Sequence, residues 1–86
     1  MTEPGRTGPT ARKPRLTARE IEVLNAWFAS DSKTTAARSL YVSVATINTH
    51  IVRVRAKYTA VGRSAPTKAS LFARALQDGL TTLDQW

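Results

Sequence analysis

The stretch from Ser43 to Tyr58 carries the chain's most informative chemistry. It offers hydroxyls at Ser43, Thr46 and Thr49, an amide at Asn48, and cations at Arg53, Arg55 and Lys57. Apolar residues recur at Ile47, Ile51, Val54, Tyr58 and Val61, which is the spacing of one helix face. At roughly 100° per residue, Ala45, Thr49, Val52, Ala56 and Arg53 fall on the opposite side, with Asn48 and Arg55 on one flank. Small and polar side chains beside arginines suit a helix that enters a DNA major groove, where bulk blocks approach and donors read base edges. Taken alone, the same pattern also describes a core helix with a solvated basic face. The rest of the chain has to separate the two.

Other chemistries find little support. There are no paired carboxylates, no nucleophile beside a base and no Gly-rich phosphate loop, so catalysis is not expected. The chain has no cysteine and a single histidine, His50. That excludes disulfide scaffolds, cysteine-bearing zinc sites and thiol catalysis, and no cofactor or metal is expected. His50 is read as a packed or phosphate-bonded side chain. No apolar run approaches the ~20 residues of a membrane span, and no signal-peptide core follows Met1. A soluble, cytoplasmic protein is the expectation.

Charge breaks the tie in favour of a polyanion. Thirteen basic residues oppose six acidic ones, a net charge of +7. From Ser32 to Gln77 there are eight basic residues and no acidic one. So one-sided a field favours nucleic acid over an anionic membrane, because no Trp- or Leu-rich face accompanies it.

These side chains need a scaffold, and 86 residues allow one small domain. A domain of this size buries only about 60% of its chain surface, which favours helix-on-helix packing. Residues 1–15, rich in Pro, Gly, Thr and Arg, read as a disordered basic tail or linker. Residues 16–86 hold the domain. Thr17-Ala-Arg-Glu20 is a capping box that opens a helix over about Ala18 to Ala29, with Leu16 stapled onto Ile21. Its inward stripe is Ile21, Leu24, Trp27 and Phe28. Asp31 or Ser32 caps a short second helix, Lys33 to Leu40, with Ala36, Ala37 and Leu40 inward. Tyr41-Val42-Ser43 is a tight connection, and Ser43 caps the third helix, Val44 to Ala60. A short helix, a turn and a longer basic helix are the parts of a helix-turn-helix. Gly62 ends the third helix. Pro66 fits the first turn of a fourth, which runs to about Asp78 and stops at Gly79. Leu71, Phe72, Ala75, Leu76 and Leu80 supply its apolar side, part for the core and part for a dimer seam. The fold class is therefore all-α, a four-helix bundle-like domain containing a helix-turn-helix.

With these elements placed, the chain resembles the LuxR-type (NarL/FixJ, GerE) helix-turn-helix DNA-binding domain of bacterial transcription regulators. Leu16-Thr17-x-Arg19-Glu20-x-Glu22-Val23-Leu24 is similar to that family's opening signature. Ala37-x-x-Leu40-x-Val42-Ser43-x-x-Thr46-Ile47-x-x-His50-Ile51 is similar to its helix-turn-helix core. Lys57-Tyr58, Arg63 and Gly79-Leu80 fall at the spacing of its later elements. The resemblance implies that the third helix docks in the major groove of double-stranded DNA. Base-reading positions would be Asn48, Thr49 and Val52. Phosphate-contacting positions would include Ser43, Thr46, Arg53 and Lys57. It also implies homodimerisation through the fourth helix (Leu71, Phe72, Leu76) and an N-terminal receiver domain absent from this chain, as in a two-component response regulator.

The chain departs from the pattern in several places. Ser30 stands where a glycine is common, so a strained positive φ or a different loop is expected there. Thr35 and Ala36 replace a usual Glu and Ile. Asn48 and Val52 replace lysines, which moves the affinity toward Arg53 and Arg55. Ser64 to Lys68 lengthens the approach to the fourth helix. Two alternatives stand beside the leading reading. One is a promoter-binding module like the fourth region of a sigma factor, although such modules usually carry Ser-Arg where this chain has Thr49-His50. The other is a basic protein-interaction module anchored by Trp27, Phe28, Phe72 and Trp86.

Overall fold

The computed structural model describes residues 13–82, and within them every regular element is a helix. These are α1 (Ala18–Phe28), α2 (Lys33–Leu40), α3 (Val44–Ala60) and α4 (Lys68–Gln77). Each begins at a hydroxyl. Thr17 opens α1 with a full capping box: the Glu20 amide donates to Thr17 Oγ1 at 3.0 Å, and the Thr17 amide donates to Glu20 Oε1 at 2.9 Å. Of the two candidates before α2, Ser32 is the cap, accepting from the Thr35 amide. The Thr35 hydroxyl lies 3.2 Å from Ser32 Oγ, so a hydroxyl pair occupies the place of the missing acid. Ser43 caps α3 in the same way, accepting from the Thr46 amide at 3.1 Å.

The start of α4 differs from expectation. Pro66 lies ahead of the helix, and Thr67 is the cap, in a capping box with Ser70. Thr67 wins because its hydroxyl satisfies an orphan amide, which a proline ring cannot do. Gly62 and Gly79 close α3 and α4 with φ of 76° and 72°. In that left-handed region the Arg63 amide reaches back to Tyr58 O and the Leu80 amide to Ala75 O, both at 2.9 Å. Ser30 does not take a positive φ. Its amide instead donates to Trp27 O and its hydroxyl to Ala26 O, so the loop after α1 turns in ordinary backbone. The left-handed non-glycine residue is Tyr41, φ 58°, at the end of α2.

Helices α1, α2 and α3 approach one another closely, pair by pair. Their core comprises Val23, Leu24, Trp27, Phe28, Ala36, Ala37, Ile47, Ile51, Val54 and Tyr58, joined by Leu71 and Ala75 of α4. Small Ala36 and Ala37 let α2 come near its neighbours. Ile21 is only half-buried, while Val23 is fully enclosed, because α1 faces two helices and needs a broader apolar side. α4 is held instead by longer reaches: Phe72 sets its edge against Phe28 with centroids 5.1 Å apart, and Asn25 Nδ2 donates to Leu80 O at 3.0 Å. Leu71 is fully buried in this core and so is unavailable to a dimer seam; Phe72 and Leu76 are half-buried.

Candidate nucleic-acid interface

The third helix divides as its periodicity predicts. Ile47, Ile51, Val54 and Tyr58 are buried, and Ala45, Asn48, Thr49, Val52, Arg53 and Ala56 are exposed. Val52 is 62% exposed, unusual for an apolar side chain this large. Arg55 is half-buried on the flank it shares with Asn48. No ion pair among the described residues involves Arg53 or Arg55. Ser43 and Thr46 stand at the N-terminal end of α3, with their hydroxyl oxygens 3.0 Å apart. Ser43 thus spends one lone pair on capping and still has a hydroxyl at the exposed end.

Lys57 is more committed than its sequence position indicates. Its ammonium donates to Glu20 Oε1 at 2.7 Å and to the Arg15 carbonyl at 3.0 Å, and its side chain is 35% exposed. It therefore ties the segment leading into α1 to the C-terminal part of α3. Burial pushes the Glu20 carboxyl up. The hydrogen bonds from Lys57 and Thr17 and the charge of Lys57 together outweigh burial, holding the group below its ordinary value.

A second polar cluster fastens α4 to the end of α3. Arg63 is 1% exposed and meets Asp78, with Nη2 2.9 Å from Oδ1 and Nη1 donating to Oδ2 at 3.1 Å. Tyr58 Oη donates to the same Oδ2 at 2.7 Å, and the guanidinium lies 5.3 Å from the Tyr58 ring. Burial first, then the hydrogen bond and charge of Asp78, push the Tyr58 phenol well above its ordinary value. The burial of Arg63 was not legible from its motif position. Its partner lies fifteen residues on.

These pairings engage three of the four acids among the described residues; the fourth, Asp31, is exposed in the loop before α2. Glu20 and Asp78 are matched within the fold, and Glu22 pairs with Arg19 on α1. The exposed face of α3 has no carboxylate of its own.

His50 is half-buried, and no group of His, Asp or Glu among the described residues could hold a metal ion. No described helix is long and apolar enough to cross a membrane. Trp27 and Phe28 are buried and Phe72 packs on Phe28, so three of the four aromatic anchors of a protein-interaction module belong to the core. Trp86 and the basic residues of the tail before Lys13 lie outside the described residues.

Comparison with known proteins agrees with this architecture. No curated protein and no solved structure matches the chain significantly. Residues 14–67 match the family described as bacterial regulatory proteins, luxR family. The matched span covers α1, α2, α3 and the connection as far as Thr67, leaving α4 beyond it. With well over half its length matched, the chain belongs to the luxR family of bacterial regulatory proteins, a family of DNA-binding helix-turn-helix domains.

Proposed function

We propose that this domain binds double-stranded DNA sequence-specifically, as the output module of a transcription regulator of the response-regulator kind. The observation that carries the proposal is the outward face of α3: Asn48, Thr49, Val52 and Arg53 stand clear of the core on a rigid helix with no acid beside them. Asn48, Thr49 and Val52 sort bases, while Arg53 and Arg55 meet phosphate from the two flanks. Ser43 and Thr46 complete the phosphate contact at the N-terminal end of α3, where helix amides and hydroxyls favour an anion. Lys57 contributes less than Arg53, because reaching a phosphate means leaving the buried Glu20 carboxylate without its cation. Two copies would bind a two-fold site, with half-site spacing reporting the geometry. Leu71 is enclosed and Phe72 packs on Phe28, so of these three α4 residues Leu76 is the candidate for any seam.

Selection from a random duplex library, followed by anisotropy titrations at several salt concentrations, tests this. Binding should weaken with a log–log salt slope of about −0.9 per neutralised phosphate. Arg53→Glu should abolish binding. Asn48→Ala should cost about 1–3 kcal/mol at one base pair and leave random-duplex affinity nearly unchanged. Equal losses on selected and random duplexes would remove Asn48 from the reading set. Failure to bind any duplex at low salt would end the proposal.

A further inference from the structure

The reading face of α3 shows more methyl than hydrogen-bonding surface. Ala45, Thr49, Val52 and Ala56 recur at the spacing that aligns them in one exposed stripe along the helix. Thr49 looks like a hydrogen-bonding reader, but its hydroxyl hydrogen is already used: Oγ1 donates to the Ala45 carbonyl at 3.0 Å. With that hydrogen held along its own helix, the exposed Thr49 has its methyl group and a spare lone pair left to offer a partner. Three residues on, the Val52 isopropyl is 62% exposed and packs on nothing in the core cluster. β-Branched residues are mediocre helix formers, and neither side chain contributes to the interior, so the fold gains nothing from having them there. Their positions make sense as a contact surface.

In the major groove the one apolar feature of a base edge is the C5-methyl of thymine. Ala45 to Val52 spans on the order of 10 Å of helix at 1.5 Å per residue, room for about three base pairs. We infer that this domain recognises its site chiefly through thymine methyl groups, read by Ala45, Thr49 and Val52, with Asn48 the single amide reader beside them. This rests on the proposed binding of α3 in the major groove and names what that groove must present: a short A·T-rich half-site whose thymines face the stripe. Asn48 would pair its amide with an adjacent adenine.

Deoxyuridine in place of thymidine removes the methyl and nothing else, which isolates the term. A site selected from a random duplex library would be resynthesised with deoxyuridine at each thymine in turn, and affinity measured by anisotropy. Each thymine facing the stripe should lose about fourfold in affinity on losing its methyl, the equivalent of one buried CH₂. Substitution at flanking thymines should change nothing. Thr49→Ser keeps the hydroxyl and drops the methyl, so it should lose a similar factor on the thymine duplex and nothing further on the uracil duplex. Thr49→Val keeps the methyl, so its penalty for uracil at the facing thymine should stay about fourfold. Thr49 is solvent-facing, so both variants fold, and circular dichroism would verify this. Specific binding that ignores every uracil substitution, or that survives Thr49→Ser and fails in Thr49→Val, would overturn the inference while leaving DNA binding intact. Absence of any selected duplex would overturn both.

Discussion

Replacing Asp78 with alanine should strip the domain of a large share of its stability, although Asp78 lies outside the proposed reading face. Its carboxylate is 4% exposed and accepts from Tyr58 Oη and Arg63 Nη1 while pairing with Arg63 Nη2. Removing it takes away the counter-charge of a guanidinium that is itself 1% exposed. Breaking a buried pair from one side costs about 3–5 kcal/mol. A domain of this size has a total stability of about 4–10 kcal/mol, at about 0.05–0.15 per residue. The substitution therefore removes a third or more of the whole. Urea titration followed by far-ultraviolet circular dichroism would measure the loss as a fall in midpoint at unchanged slope. Asp78→Asn keeps an acceptor for Tyr58 and should fall between parent and alanine. The double variant Arg63→Leu with Asp78→Leu should lose far less than the sum of its single changes, since no charge is then left buried. A loss below about 1 kcal/mol for Asp78→Ala would refute the view that this pair clamps α4 to α3.

Other perturbations have equally definite signs. The Glu20 carboxyl titrates below its ordinary value, so its contribution is present above the unfolded pKa near 4.3 and fades as pH falls through the lowered folded one; Glu20→Gln should flatten that acid limb of the stability profile. Tyr58 runs the other way. Its raised pKa means stability fully present below about pH 10 and lost as pH climbs toward the folded value, a dependence Tyr58→Phe should abolish in an alkaline melting series. Tyr41→Gly removes a bulky left-handed residue that is 95% exposed and should stabilise the fold by about 1 kcal/mol, seen as a melting point higher by about 4–8 °C. A lower melting point would mean that the aromatic ring contributes contacts the geometry does not show.

Most of the architecture was legible because its signals are local. Hydroxyl caps at Thr17, Ser32 and Ser43 and the glycines at 62 and 79 act within one turn, and the helices begin and end where those residues stand. Pro66 and Thr67 are both valid start signals one residue apart, and only the hydroxyl reach to Ser70 separates them. The outward face of α3 was readable because it is the complement of a clean apolar stripe. Val23, Lys57 and Arg63 were not. Val23 is buried because α1 is flanked by two helices, a tertiary fact. Lys57 finds Glu20 from thirty-seven residues away, and Arg63 finds Asp78 across a loop and a helix. Side chains with long reaches choose partners that no periodicity announces.

The matching of acids also bears on how the domain searches. Glu20, Glu22 and Asp78 each cancel a cation at close range, while Arg53 and Arg55 have no ion-pair partner among the described residues. On the exposed face of α3, which holds no carboxylate, their charge therefore stands uncancelled at close range. In the proposed reading, a duplex drawn in by that charge meets α3 first, so fewer collisions are wasted on wrong orientations. On the same proposal that attraction is blind to base order, which lets the domain skate along the backbone between targets and leaves the decision to stop to Asn48, Thr49 and Val52.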